Sequence, residues 1–299
     1  MGRQRWAFRV ESRQVWVSKM QKKIAFSVLM NVYYRDNPVW FLTAVESVLN
    51  QTVKPDEVVL VVDGPVSHEL DMEIVRLETD GKIRVIRLAE NRGLGNARRV
   101  GLENCRNQLV AMMDADDICM PDRFEKQIAR FSEEQALDIV GGNISEFIGN
   151  PENIVGYRMV PQDHIQLSEY IKKRCPFNHM TVMLKKTSAI KVGSYLDWHY
   201  NEDYYLWIRM YLDGMRFGNV PEIVVNVRVG KEMYKRRGGW RYFKSELGLQ
   251  NLMLKRRIIV FPQYIFNVLL RMFIQLLIPN SLRGVVFKKF ARVQSVKSV

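Results

Sequence analysis

The sequence has few cysteines and none of the spacings that cysteine-based sites require. Three occur in 299 residues, widely separated and without a CxxC pair: Cys105, Cys119 and Cys175. An odd number with no paired spacing argues against a disulfide framework, a zinc ribbon and a redox CxxC site. Unpaired cysteines of this kind are typical of a reducing compartment, so we expect a cytoplasmic protein.

Signatures of several other protein classes are also missing. The basic N-terminus has no apolar run before Lys22 and so does not resemble a secretory signal; Met20, just before the first predicted strand, is a candidate natural start. No GxxxxGK phosphate loop occurs. The GxG at Gly93 and Gly95 follows the third predicted strand, and Arg98 stands where a dinucleotide-binding motif needs its third glycine. These features argue against P-loop proteins and dinucleotide-dependent oxidoreductases.

Positive charge is abundant but unevenly placed. The net charge is +13, with +6 in residues 1–23, +14 in residues 228–299 and therefore −7 between them. A nucleic-acid reader normally has its basic patch on the folded reading surface, so no nucleic-acid partner is expected. An acidic body with basic ends fits a soluble unit whose ends are attracted to anionic lipid. Solvated tails without a partner are the alternative.

Residues 24–228 alternate between short apolar runs and amphipathic segments. This pattern predicts an α/β domain with a mostly parallel sheet and flanking helices, between a basic extension at 1–23 and a basic, amphipathic region at 229–299. Strands are predicted at 24–31, 57–62, 83–88, 109–113, 138–147, 177–185 and 221–229. Helices are predicted from Pro38, from Pro121 to about residue 134, and at 69–79, 97–104 and 203–212.

The segment 258–278 is strongly apolar and carries a narrow polar stripe. Its polar residues recur at every fourth position: Gln263, Asn267, Arg271 and Gln275. On a helix this spacing places them on one side. With basic residues before and after it, the segment is predicted to lie in the plane of a membrane interface. A helix packed in the domain and a membrane span are the alternatives.

Polar residues follow several of the predicted strands. They are Asn31, Tyr33, Asp63 and the run 114–117, DADD. Ligands of parallel sheets bind beyond the carboxyl ends of strands, where these residues should meet. Carboxylates spaced as in Asp114 and Asp116 suit Mg²⁺ or Mn²⁺ bridging a diphosphate, because these ions prefer hard oxygen ligands. A short acidic turn without a ligand is the alternative.

Four motifs occur in a fixed order along this region. They are SVLMNVYYRDNP, ESVLNQTVKPDEVVLVVDGP, NRGLGNARRVGL and AMMDADDICMPDRFEKQ. In order, spacing and residue type they resemble family 2 glycosyltransferases of the GT-A fold over roughly residues 24–228. The similarity is greatest to bacterial enzymes that build capsular, exopolysaccharide or lipopolysaccharide repeat units. The resemblance implies a Rossmann-like catalytic domain, and the basic, amphipathic pattern that follows it predicts a helical, membrane-associating C-terminal extension.

The resemblance implies a nucleotide-sugar donor, with UDP favoured, held by residues of the first half. The implied contacts are Asn31 and Tyr33 at the nucleoside, Asp63 at uracil, Arg98 at the nucleotide or its phosphates, and Asp114 at the ribose or sugar. Asp63 as a simple turn residue and Arg98 as an exposed helix residue are the alternatives.

The resemblance also implies a metal ligand and a general base. Asp116 would hold Mn²⁺ or Mg²⁺. Asp203 of the Glu202-Asp203 pair would take the proton of the acceptor hydroxyl in a single displacement that inverts the anomeric carbon, with Glu202 supporting it. Both carboxylates could instead only cap the helix that begins there.

Two further groups are weaker candidates. Asn178 and His179 could face the sugar or the acceptor, although a lone histidine beside apolar residues is often structural. Arg236 and Arg237 lie in a glycine-containing stretch that could close over the diphosphate or contact a membrane.

The predicted function is therefore transfer from a UDP-hexose or UDP-N-acetylhexosamine to a lipid-linked saccharide in surface polysaccharide synthesis. The enzyme would sit peripherally at the cytoplasmic face of the bacterial inner membrane. A processive synthase is disfavoured because the sequence has Tyr205-Leu206-Trp207-Ile208-Arg209 and no QxxRW. A non-catalytic membrane- or nucleic-acid-binding protein would leave the strand-end carboxylates without a role.

Overall fold

The computed structural model describes residues 24–230 and 238–278, and these form one mixed sheet with helices on both faces. The predicted extension 1–23 lies outside the described residues. The strands, in chain order, are β1 (Phe26–Val32), β2 (Glu57–Val62), β3 (Arg84–Arg87), β4 (Leu109–Asp114), β5 (Ile118–Cys119), β6 (Leu137–Phe147), β7 (Ile154–Arg158), β8 (Met183–Lys185) and β9 (Arg216–Arg228).

The first half of the chain is the parallel part of the sheet. β1 lies between β2 and β4, β3 lies beyond β2, and all three pairings are parallel. The crossovers contain helices α1 (Pro38–Leu49), α2 (His68–Thr79) and α3 (Leu94–Asn104). Asn37 caps α1 by accepting from the backbone N–H groups of Val39 and Trp40. The predicted α/β alternation is confirmed here.

The core lies on both faces of this sheet because successive strand residues point in opposite directions. Val28 and Met30 of β1 pack on one side with α1 and α2, whereas Leu29 packs on the other with α3. A strand that is buried on both faces is apolar at nearly every position. This explains the unbroken run EVVLVV in β2.

The second half is not mostly parallel, and in this respect the prediction was wrong. β8 pairs antiparallel with both β4 and β6, and β5 pairs antiparallel with β9, while β6 and β9 are parallel. The full order is β3-β2-β1-β4-β8-β6-β9-β5, with β7 paired to β6. The helices of this half are α4 (Arg123–Glu133), α5 (His164–Tyr170), α6 (Lys186–Lys191) and α7 (Glu202–Leu212).

The strand predicted at 177–185 is present only in its last third. Residues His179–Thr181 form a 3₁₀ turn, and only Met183–Lys185 is a strand. The Thr181 hydroxyl and backbone N–H both donate to the Asn178 carbonyl, at 2.7 and 2.9 Å. This local bonding competes with a sheet ladder, as threonine commonly does at turns. The turn places His179 beneath the end of β4.

The described C-terminal part adds two helices, α8 (Trp240–Lys255) and α9 (Phe261–Met272), followed by a π-helical turn at Phe273–Leu277. α8 was not predicted, and its Leu249 and Met253 join the core beneath α7. No helix in residues 24–230 and 238–278 has the length and apolarity to cross a membrane.

Candidate active site

The predicted donor residues meet at the carboxyl ends of β1, β2 and β4. Asn31 is aligned with Asp114 on the neighbouring strand β4, and Asp63 directly follows β2. The side-chain Nδ2 of Asn31 is buried and has no hydrogen-bond partner within the described residues. An unpartnered buried amide is costly, so this group suits a ligand contact. Tyr33 follows β1, where its backbone N–H donates to Asp36.

Asp63 connects the end of β2 to the glycine-rich loop. Its two carboxylate oxygens accept from the backbone N–H groups of Arg92 and Gly93, at 2.8 and 3.0 Å. Gly64 has φ of +83°, and a Cβ there would lie 2.5 Å from the backbone nitrogen of Asn91. Asp63 therefore orders the loop before α3. Its oxygens keep second lone pairs, so the predicted uracil contact is compatible with this arrangement and remains a prediction.

Arg98 is buried, which excludes its alternative as an exposed helix residue. Its guanidinium donates to Glu202 Oε1 at 2.7 Å and to Asp114 Oδ1 at 3.4 Å. Burial alone would lower the pKa of Arg98, but the carboxylates of Glu202 and Asp114 outweigh it and raise that pKa. Arg98 thus joins the end of β4 to the start of α7, where Glu202 lies 104 residues after Arg98 in the chain.

The Glu202-Asp203 pair opens α7. Burial raises the pKa of Glu202, supported by the nearby charge of Asp203 and opposed by Arg98. Asp203 is half-buried in the first turn of the helix, and its Oδ1 accepts from the backbone N–H of Tyr204. The residue at the N-cap position is Asn201, and it makes no capping hydrogen bond through its side chain. Capping alone does not account for Glu202, whose Oε1 accepts from Arg98, whereas Asp203 accepts from a first-turn N–H as a capping residue does.

The DADD turn concentrates negative charge beyond β4. Asp117 is buried and accepts from the backbone N–H of Arg228 at 2.9 Å. Burial, followed by the charges of Asp116 and Asp114, raises the pKa of Asp117 well above its ordinary value. The Arg228 side chain lies between the rings of Trp40 and Phe147, 4.5 and 4.7 Å from their centres, and donates to the Asp116 carbonyl.

The donor set at this turn fits a divalent cation that also binds a diphosphate. In residues 24–230 and 238–278, no three or more His, Cys, Asp or Glu side chains are arranged so that they could hold a metal ion by themselves. Protein ligation would therefore come from Asp116, with Asp114 beside it, and the remaining positions would need other oxygens. Adjacent carboxylates that raise the pKa of a neighbour are stabilised by a cation. Hard oxygen donors of this kind match Mg²⁺ and Mn²⁺.

His179 is buried beneath the end of β4 and contacts a tyrosine that sequence reasoning missed. Its Nε2 lies 2.9 Å from the Tyr195 hydroxyl, and its Nδ1 lies 4.0 Å from Asp114 Oδ1. Burial, with the charges of Arg98 and Arg123, lowers the pKa of His179 well below its usual value. These influences favour the neutral imidazole. Tyr195 lies in an irregular segment, and no local pattern marks it as a partner of His179.

Asn178 is a core residue in this structure. Its side chain is 1% exposed and donates to the Gly142 carbonyl at 2.8 Å. This bond holds the turn against β6, and the sugar or acceptor contact of Asn178 stays a prediction. Arg236 and Arg237 lie outside the described residues, so their diphosphate role stays a prediction.

Comparisons with known proteins agree in family and fold. Residues 27–191 match the family Glycosyl transferase family 2. An uncharacterized glycosyltransferase of Haemophilus influenzae is 41% identical over 89% of this chain and 99% of its own length. An Escherichia coli UDP-Gal:alpha-D-GlcNAc-diphosphoundecaprenol beta-1,3-galactosyltransferase is 36% identical over 89% of this chain and 96% of its own length.

The solved structures of S. aureus TarS have a similar fold. In the complex of TarS residues 1–349 with UDP-GlcNAc, the TM-score is 0.60 at 19% identity, covering 83% of this chain and 72% of that one. At this identity the likeness to TarS shows a similar fold. The family match and the relatives above 30% identity show common descent. The match over residues 27–191 and the relatives above 30% identity, found for a chain with this fold, show that it belongs to glycosyltransferase family 2.

Proposed function

We propose that the chain transfers a hexose or N-acetylhexosamine from a UDP-sugar to a saccharide linked through diphosphate to a polyprenol lipid. The relative from Escherichia coli is named for such a reaction, and TarS has been solved with UDP and with UDP-GlcNAc. The observation that carries the proposal is the Arg98 bridge between Asp114 and Glu202. This bridge fixes the carboxyl end of β4, where the donor sugar would bind, against α7, the helix that carries the candidate base Asp203.

In this proposal Asp203 acts on the acceptor. Its carboxylate takes the proton of the acceptor hydroxyl while that oxygen forms a bond to the anomeric carbon. The bond from the anomeric carbon to the diphosphate oxygen breaks, and UDP leaves on the opposite side, so the configuration inverts. Glu202 keeps its ion pair with Arg98, and this pair holds the first turn of α7 in place.

The donor is held by the residues at the strand ends. Asn31 and Tyr33 line the nucleoside side, Asp63 accepts from the uracil ring while ordering the loop, and Asp114 contacts the ribose or sugar. Arg98 is enclosed by carboxylates, so we assign it to positioning Asp114 and Glu202 more than to contacting the phosphates. Asp116 would hold Mn²⁺ or Mg²⁺, which when bound supplies positive charge against the departing diphosphate.

A peripheral position at the cytoplasmic face of the inner membrane completes the proposal. The acceptor named for the relative from Escherichia coli carries an undecaprenol lipid. The strong positive charge of the C-terminal region, +14 over residues 228–299, favours contact with anionic lipid there.

Calorimetric titration with UDP tests the donor site and the metal together. We expect the unmodified protein to bind UDP at least tenfold more tightly with Mn²⁺ than without it. Asp116→Ala should remove that metal-dependent gain, because its carboxylate would no longer ligate the cation. Asp122→Ala is the matched control, since that aspartate lies in the next turn and pairs with Lys126. Equal UDP affinity of Asp116→Ala and the unmodified protein, with Mn²⁺ present, would refute the metal role.

A further inference from the structure

The helix α9 and the π-helical turn after it present an apolar face to the exterior. Five apolar residues recur at every fourth position and are exposed: Phe261, Ile265, Leu269, Phe273 and Leu277. The neighbouring Phe266 and Leu270 are also exposed, and Phe266 reaches 64%. We call these seven residues the outer face. Contiguous exposed apolar residues of this extent commonly mark a contact surface.

The polar stripe of the same helix faces the protein, an orientation that the sequence pattern alone did not specify. Gln263, Asn267, Arg271 and Gln275 share the four-residue period of the outer face but are offset from it by two residues. Two residues correspond to about 200° around a helix, so the two stripes lie on opposite sides. Asn267 and Gln275 are accordingly buried.

Directed polar contacts hold the stripe against the protein. The Asn267 amide donates to the Lys172 carbonyl and to Gln250 of α8, both at 2.9 Å. Arg271 donates to Glu246 of α8 at 2.6 Å and to the Lys173 carbonyl at 2.8 Å. Rotating α9 to bury its apolar side would leave these buried groups without partners, which is unfavourable. The outward orientation of the outer face is therefore fixed by the polar side.

The charges beside the outer face indicate its partner. Three exposed basic residues lie at the end of α8 and in the turn that follows it: Lys255, Arg256 and Arg257. No aspartate or glutamate follows Glu246 in the sequence, and Glu246 is already paired with Arg271. A second copy joined through this face would bring no acidic residue from its own α9 region to meet these cations. Anionic lipid supplies both an apolar interior and negative head groups.

We propose that the outer face docks in the acyl and head-group boundary of an anionic bilayer, with the polar stripe as the joint between helix and catalytic body. This inference rests on the proposed function in one respect. A lipid-linked acceptor is the reason that the enzyme would need to bind a membrane. The helix would lie along the surface, with the catalytic body attached to it through the polar stripe.

The test is flotation of the full chain with vesicles of phosphatidylglycerol and phosphatidylcholine. We expect the double variant Phe266→Gln/Leu269→Gln to lose at least tenfold in vesicle affinity. Met72→Gln, an exposed apolar residue on α2, is the matched control and should bind as the unmodified protein does. The variant Phe266→Trp gives a second reading when it is compared with the unmodified protein, which has six tryptophans of its own, because brominated lipid should quench an added tryptophan that enters the acyl region.

Unchanged affinity of the double variant, or no quenching of the tryptophan at position 266 on bound vesicles, would overturn the proposal. A stable dimer in lipid-free solution that the double variant dissociates would also overturn it, in favour of a second copy. Transfer to a water-soluble, short-chain acceptor should be the same in the double variant and the unmodified protein. If no variant transfers sugar while vesicle binding behaves as expected, the proposed function fails and the docking face stands.

Discussion

Asp203→Asn is expected to reduce kcat by about 10²- to 10⁴-fold, the range that a positioned general base contributes. The amide is close to the carboxylate in shape but cannot accept the proton of the acceptor hydroxyl. UDP affinity should stay within about twofold, because the donor contacts lie at the ends of β1, β2 and β4. The measurement is single-turnover sugar transfer, paired with calorimetric binding of UDP.

A matched carboxylate on the same helix controls for general effects of the substitution. Asp213 ends α7 and pairs with Lys191 at 2.7 Å, far along the helix from its first turn. Asp213→Asn should leave kcat unchanged. Full turnover by Asp203→Asn would remove Asp203 as the base and leave Glu202 as the next carboxylate to examine.

Arg98→Met should have the largest effect on stability. The substitution preserves much of the volume but leaves Glu202 buried beside Asp114 and Asp203 without its counter-ion. Breaking a buried ion pair by removing one partner typically costs about 3–5 kcal/mol. Chemical denaturation should show a loss of that size, and Arg98→Met/Glu202→Gln should recover a large part of it. A stable Arg98→Met protein would contradict the structural role of the bridge.

The same variant should show a defined pH dependence. Burial already raises the pKa of Glu202, and loss of Arg98 would raise it further, because the charge of Arg98 is the largest influence that opposes the shift. A carboxyl group whose folded pKa is raised contributes stability below its unfolded pKa and loses it as the pH rises through the folded value. The deficit of Arg98→Met should therefore be greatest near neutral pH and shrink towards pH 4.5. A deficit that grows on acidification would point to a different cause.

The parallel half and its site were predictable because their signals are local. The run EVVLVV is followed by Asp63, and the run LVAMM is followed by Asp114. The apolar pattern therefore predicts the strand, and the polar residue after it predicts the edge of the sheet at which the site lies. The pairing of Arg98 with Glu202 joins residues 104 positions apart, and a single sequence does not show which acidic residue meets which basic one.

The second half was less predictable because the bounds of its strands depend on tertiary pairing. β9 extends from Arg216 through Pro221, where the register with β6 shifts and Asn143 donates to the Pro221 carbonyl. Proline cannot donate to a ladder, so its presence argued for a strand start and not for a strand interior. In α9 the period of the polar stripe was correct, but the period alone does not say which side meets the protein. That choice depends on Gln250 and Glu246 of α8, a helix the sequence did not reveal.

Product analysis with a defined acceptor tests the central claim most directly. The purified chain would be incubated with UDP-galactose, UDP-glucose and UDP-N-acetylhexosamines in turn, with α-GlcNAc-diphosphate on a short lipid chain as acceptor. We predict release of UDP with at least one donor and a disaccharide product whose new linkage is β, as inversion of an α-linked donor requires. A product with an α linkage, or hydrolysis of the donor with no product on any lipid-diphosphate saccharide, would contradict it.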